Sequence, residues 1–76
     1  MDTTTLTLPT PDEIRNVLKK HEITRETAAG LVHVSLRAFH NWMAPEGSPH
    51  HRAMPLSAWE LLLIKLGEIE VDRYGQ

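Results

Sequence analysis

The sequence predicts an all-α fold, a small bundle of four to five helices with two short helices joined by a tight turn at its centre. Three observations carry this. Apolar residues recur at helical spacing, as in Ile14, Val17 and Leu18, which marks one face of a 3.6-residue period. Helix-start signals stand before each candidate helix: Thr10-Pro11, Thr24, Ser35 and Pro55. The tail Glu68-Ile69-Glu70-Val71-Asp72 alternates polar and apolar, a weak signal that adds at most a short C-terminal strand.

The elements follow in order. Residues 1–9 are Thr-rich and read as a flexible N-terminal arm. In Thr10-Pro11-Asp12-Glu13, Thr10 is an N-cap, Pro11 suits the first helical position, and Glu13 is placed for a capping box. The first helix then ends near His21. Thr24 caps a second helix, Arg25 to Leu31, and Ser35 caps a third, Leu36 to Met43. A loop from Ala44 to Met54 follows. Pro55 opens a last helix running to about Leu66, with Gly67 as its C-cap. Leu56, Trp59, Leu62, Leu63 and Leu66 form its core stripe. The domain spans residues 10–67, and residues 68–76 form a tail suited to dimerisation.

Val32-His33-Val34 leaves room only for a sharp reversal, so Thr24 to Trp42 reads as a helix-turn-helix. Ala28 allows the two helix backbones to approach, and Leu31, Val34, Phe39 and Trp42 supply the apolar contacts. At 100° per residue, Ala38, Phe39, Trp42 and Met43 share one side of the third helix. Leu36, Arg37, His40 and Asn41 share the other, a donor-rich face suited to base edges in a major groove.

Thr24, Ala28, Ala29, Leu31, Val34, Ser35, Arg37 and Trp42 resemble the pattern of the lambda repressor/Cro-like (XRE-type) helix-turn-helix regulators. The resemblance extends over residues 11 to 66 and is densest at 24 to 42. Three features depart from it. Position 33, often Gly because the turn needs positive φ, is His, a residue enriched in that conformation. Position 25, often Gln, is Arg, which can hold a phosphate by charge. The loop after Trp42 is longer than usual and carries Pro45, Gly47, Pro49, His50 and His51.

The resemblance implies a sequence-specific regulator of transcription that binds double-stranded DNA. Stand-alone domains of this kind are often phage or plasmid repressors, so it further implies a homodimeric repressor, naturally autoregulated, on a palindromic operator. Without a ligand pocket, no small-molecule effector is expected. In that setting Arg37 is expected on a guanine or a phosphate, and Asn41 on an adenine or a phosphate. His40 faces the DNA. Leu36 either meets a thymine methyl or packs on the preceding helix. Arg25 and Ser35 stand at helix N-termini, which favour phosphate, and Arg52 is a backbone clamp from the loop. Lys19 and Lys20 read as a solvated face.

Composition bounds the alternatives. Seventy-six residues make one small domain, near the size at which a single core is marginal. The absence of Cys excludes disulfides, thiolate zinc sites and Cys nucleophiles. The adjacent pair His50-His51 lacks partners for a tetrahedral metal site, and neither a cofactor nor an enzymatic constellation is evident. No apolar run approaches a membrane span and the N-terminus lacks a secretory pattern, so a cytoplasmic location is expected. The net charge of −2 opposes nucleic-acid binding. Yet from His33 to Arg52 there are two Arg, four His and one acid, Glu46, which places local positive charge where the motif needs it. Leu61 and Ile64 lie opposite the core stripe and, with Ile69 and Val71, form the expected self-association surface; in a monomer the tail would cover them. The competing functional class is a protein-interaction module that keeps the fold without binding DNA. The acidic balance, the His-rich loop and Leu36 support it.

Overall fold

The computed structural model describes residues 6–70 as four helices: α1 Pro11–Lys20, α2 Arg25–Leu31, α3 Leu36–Met43 and α4 Leu56–Lys65. The fold is the all-α bundle that the sequence predicts. Among the described residues there is no fifth helix and no strand: residues 66–69 form a turn and bend. Val71 and Asp72 of the expected strand lie outside the described residues.

Three helices start on a side-chain cap. Thr10 Oγ1 accepts from the Glu13 amide at 3.1 Å while the Thr10 amide donates to Glu13 Oε1 at 2.9 Å, closing a capping box. Thr24 accepts from the Thr27 amide at 3.0 Å and Ser35 from the Ala38 amide at 3.1 Å. Helix α4 has only Pro55 before it, with no side-chain cap.

Three helices also end alike. Past α1 the Glu22 amide donates to Lys19 O and the Ile23 amide to Leu18 O; past α2 the His33 amide donates to Gly30 O and the Val34 amide to Ala29 O. Past α4 the Gly67 amide donates to Ile64 O and the Glu68 amide to Leu63 O. Each is a Schellman closure, which needs a left-handed residue just beyond the C-cap. Those residues are Glu22 (φ 55°), His33 (φ 63°) and Gly67 (φ 79°). Gly adopts this conformation freely, whereas an L side chain costs about 1–2 kcal/mol there. Gly also loses more chain entropy on folding. His33→Gly is therefore expected to stabilise the domain by about 0.5–1 kcal/mol, read as a thermal midpoint a few degrees higher.

The core joins Ile14 and Leu18 of α1, Ala28 and Ala29 of α2, Val32 of the turn, Phe39, Trp42 and Met43 of α3, and Trp59, Leu62 and Leu63 of α4. Helix α3 packs against α1 and α2, and α2 also meets α4. Ala28 is wholly buried, as a close crossing of α2 and α3 requires. Phe39 and Trp42 lie 5.5 Å apart between ring centroids at 57°, a favourable tilted pair. Met54, from the loop before α4, is buried too; a flexible thioether fills the irregular gap there. Leu56 departs from the expected stripe. It is the first residue of α4, where the stripe runs off the packed surface, and it is 40% exposed. Near the N-terminus, Pro9 is buried and Leu6 packs partly on the core.

A clasp ties the two ends of the bundle. Glu68 Oε2 accepts from Lys20 Nζ at 2.8 Å and from His21 Nε2 at 2.6 Å. The Lys20 ammonium, then His21, hold the Glu68 carboxyl below the usual glutamate range. The unfolded chain therefore takes up this proton at a higher pH than the folded one. Stability from the clasp is fully present above the ordinary glutamate pKa of about 4.3 and is lost as pH falls through the depressed value. Glu68→Gln should thus weaken the domain at pH 7 and flatten its loss of stability in acid. Urea titrations at pH 7, 4 and 3 measure both effects.

Candidate nucleic-acid interface

Helix α3 is divided lengthwise by burial. Phe39, Trp42 and Met43 are buried, Leu36, Arg37 and His40 are exposed, and Ala38 and Asn41 are half-buried. The exposed side holds an aliphatic group, a guanidinium and an imidazole, with the Asn41 amide beside them. The helix contains no acid. Arg37 makes no hydrogen bond or ion pair with any described side chain.

Helix α2 adds a second cation to this surface. Arg25 Nη1 donates to His40 Nδ1 at 2.9 Å. The Schellman closure at Val32-His33-Val34 turns the chain so that the start of α2 and the third residue-pair of α3 meet. Arg25 and His40 are expected site residues joined by a side-chain hydrogen bond. Ser35 Oγ is engaged as the acceptor of the α3 N-cap; its hydroxyl proton remains a donor.

The loop after α3 folds back on the helix end. The Arg52 amide donates to Asn41 O at 3.0 Å, and His51 Nδ1 donates to Ala44 O at 3.0 Å. Within the loop the Ser48 amide donates to Pro45 O at 2.8 Å, and the His50 amide to Ser48 Oγ at 3.1 Å. Arg52 thus stands beside the C-terminus of α3. Its guanidinium donates to His51 O at 2.8 Å and Pro49 O at 3.3 Å, carbonyls of its own loop, and the residue stays exposed. His50 is exposed and His51 is held by Ala44. Among the described residues no three His, Asp or Glu side chains gather as a metal site would require.

Sequence reasoning missed two cations with structural tasks: Lys20, read as part of a solvated face, bonds Glu68 at 2.8 Å, and the other is on α4. Lys65, in the last turn of α4, reaches across to α2 and donates to Leu31 O at 2.8 Å, with His33 Nε2 at 3.4 Å. A cation on the last carbonyls of a helix complements its negative end. Lys65 therefore steadies the turn that sets α3.

The expected self-association residues are divided. Leu61 and Ile69 are half-buried and pack partly on the monomer's own core, while Ile64 is half-buried without such packing. Val71 lies outside the described residues. Among the described residues the exposed large apolar side chains are instead Leu8 (54%), Leu36 (40%) and Leu56 (40%). No helix among the described residues is long and apolar enough to cross a membrane. No family model, curated protein or solved structure matches the chain.

Proposed function

We propose that the chain is a sequence-specific double-stranded DNA-binding regulator of transcription, acting as a homodimeric repressor on a palindromic operator. The observation that supports it is the exposed side of α3. Donors at Arg37, His40 and Asn41 stand on a helix without acids, and Arg25 of α2 joins them through His40. With its side chains an α-helix is about 10–12 Å across, which the B-DNA major groove of about 12 Å admits, and the eight residues of α3 give about 12 Å of helix to lie in it. One such helix reads only a few base pairs, so two copies on half-sites about 34–36 Å apart supply the affinity.

Selection of bound sequences from random duplex DNA tests this directly. A palindrome should emerge, and binding should weaken steeply with salt despite the net charge of −2. Arg25→Ala should flatten the log–log salt slope by about one unit. No enrichment, together with salt-insensitive behaviour, would remove the proposal. It would favour the second reading, a protein-interaction module, which the 40% exposure of Leu36 on the same side of α3 supports.

A further inference from the structure

The Arg25–His40 contact fixes a proton. A guanidinium carries only donors, so His40 Nδ1 must accept. A neutral imidazole with an accepting Nδ1 carries its proton on Nε2. His40 is exposed, and its Nε2 meets no described residue. The side chain therefore presents one outward donor. Its other nitrogen, the only acceptor, is occupied.

We infer that the Arg25–His40 pair makes His40 a preset Nε2–H donor that reads guanine in the major groove. This deepens the DNA-binding reading and rests on it. An unrestrained histidine is a degenerate reader, because by changing tautomer or flipping its ring it offers either a donor or an acceptor. Arg25 removes the acceptor. Of the four major-groove edges, guanine alone shows two acceptors, N7 and O6, with no donor and no methyl group. Adenine places its N6 amino group beside N7, cytosine presents an amino group, and thymine a methyl beside O4. A donor-only side chain finds two acceptors on guanine, one on adenine or thymine beside an amino or methyl group, and none on cytosine, which ranks guanine first.

The positions of Arg37 and His40 also set a spacing. Arg37 and His40 are three residues apart on α3, about 5–6 Å between Cβ atoms. Base steps are about 3.4 Å. If Arg37 takes a guanine bidentately, the guanine read by His40 lies one or two steps away in the same half-site.

Two measurements test the pair and its reading separately. The first uses the 15N-labelled protein without DNA at pH 8, where imidazoles are neutral. In the parent, His40 should show an unprotonated Nδ1 and a protonated Nε2; in Arg25→Met it should move toward a tautomer mixture. The second uses the selected duplex with each guanine replaced singly by 7-deazaguanine, which lacks the N7 acceptor. One replacement per half-site should weaken the parent about tenfold and have no effect on His40→Ala. In Arg25→Met the same replacement should cost much less than in the parent, with adenine tolerated at that position. Identical nitrogen signals in parent and Arg25→Met would overturn the lock. If every 7-deazaguanine penalty persists in His40→Ala while Arg37→Ala still weakens the site, guanine reading by His40 fails and the DNA-binding reading stands. A chain that enriches no duplex removes both.

Discussion

Phe39→Ala is expected to cost about 3–5 kcal/mol and to shift the unfolding midpoint far below the parent's. Phe39 has no exposed surface and is the largest wholly buried side chain, at the place where α3 meets the rest of the bundle. Truncation removes its transfer free energy, leaves a cavity, and deprives Trp42 of its aromatic neighbour 5.5 Å away. A domain of this length holds about 4–11 kcal/mol in total, at 0.05–0.15 kcal/mol per residue. The loss thus runs from about a quarter of the available stability to all of it. Phe39→Leu retains most of the volume and should cost far less. Urea unfolding followed by circular dichroism measures both, and a Phe39→Ala midpoint close to the parent's would show that the core collapses around the gap.

Arg37→Ala should have the opposite profile, with stability unchanged and DNA recognition lost. Arg37 is exposed and makes no polar contact with a described side chain, so its removal breaks nothing inside the fold. Surface changes of this kind normally fall within about 0.5 kcal/mol. On the selected operator the same change should cost roughly 1–3 kcal/mol per half-site and relax preference at one base pair. Non-specific binding should weaken far less, by the loss of one phosphate-directed charge. The ratio of specific to non-specific affinity is therefore the decisive quantity. Equal loss on both would make Arg37 a backbone contact, and no loss on either would take α3 out of the groove.

Helix boundaries were legible because they are written locally. Thr10, Thr24 and Ser35 cap within three residues of themselves, so the bounds of α2 and α3 could be read from the chain alone. His33 was legible as a left-handed residue (φ 63°) only through the resemblance, whose pattern often has Gly at that position. Glu22, in the same conformation, was not, because Glu carries no signal for it. Tertiary choices were less visible. Nothing periodic marks Met54 as core, because it belongs to a loop. Leu56 fits the α4 stripe by angle but stands where the helix has run past its neighbours. The exposed side of α3 followed from the wheel, but which of its residues would meet Arg25 did not. That contact joins positions fifteen apart through a turn whose direction the sequence does not state. The Lys65 contact with Leu31 O, across thirty-four residues, was hidden for the same reason.

The three Schellman closures bear on how the chain reaches this fold. Each is made within six residues, so α1, α2 and α4 can end and redirect the chain before any distant contact exists. Domains dominated by such short-range contacts fold in microseconds to milliseconds. The Glu68–His21 clasp is of the other kind, bridging forty-seven residues. A contact across that separation is expected to form late, on the native side of the folding barrier. On that expectation Glu68→Gln should act mainly on the unfolding rate, leaving the folding rate, which the local closures favour, nearly unchanged.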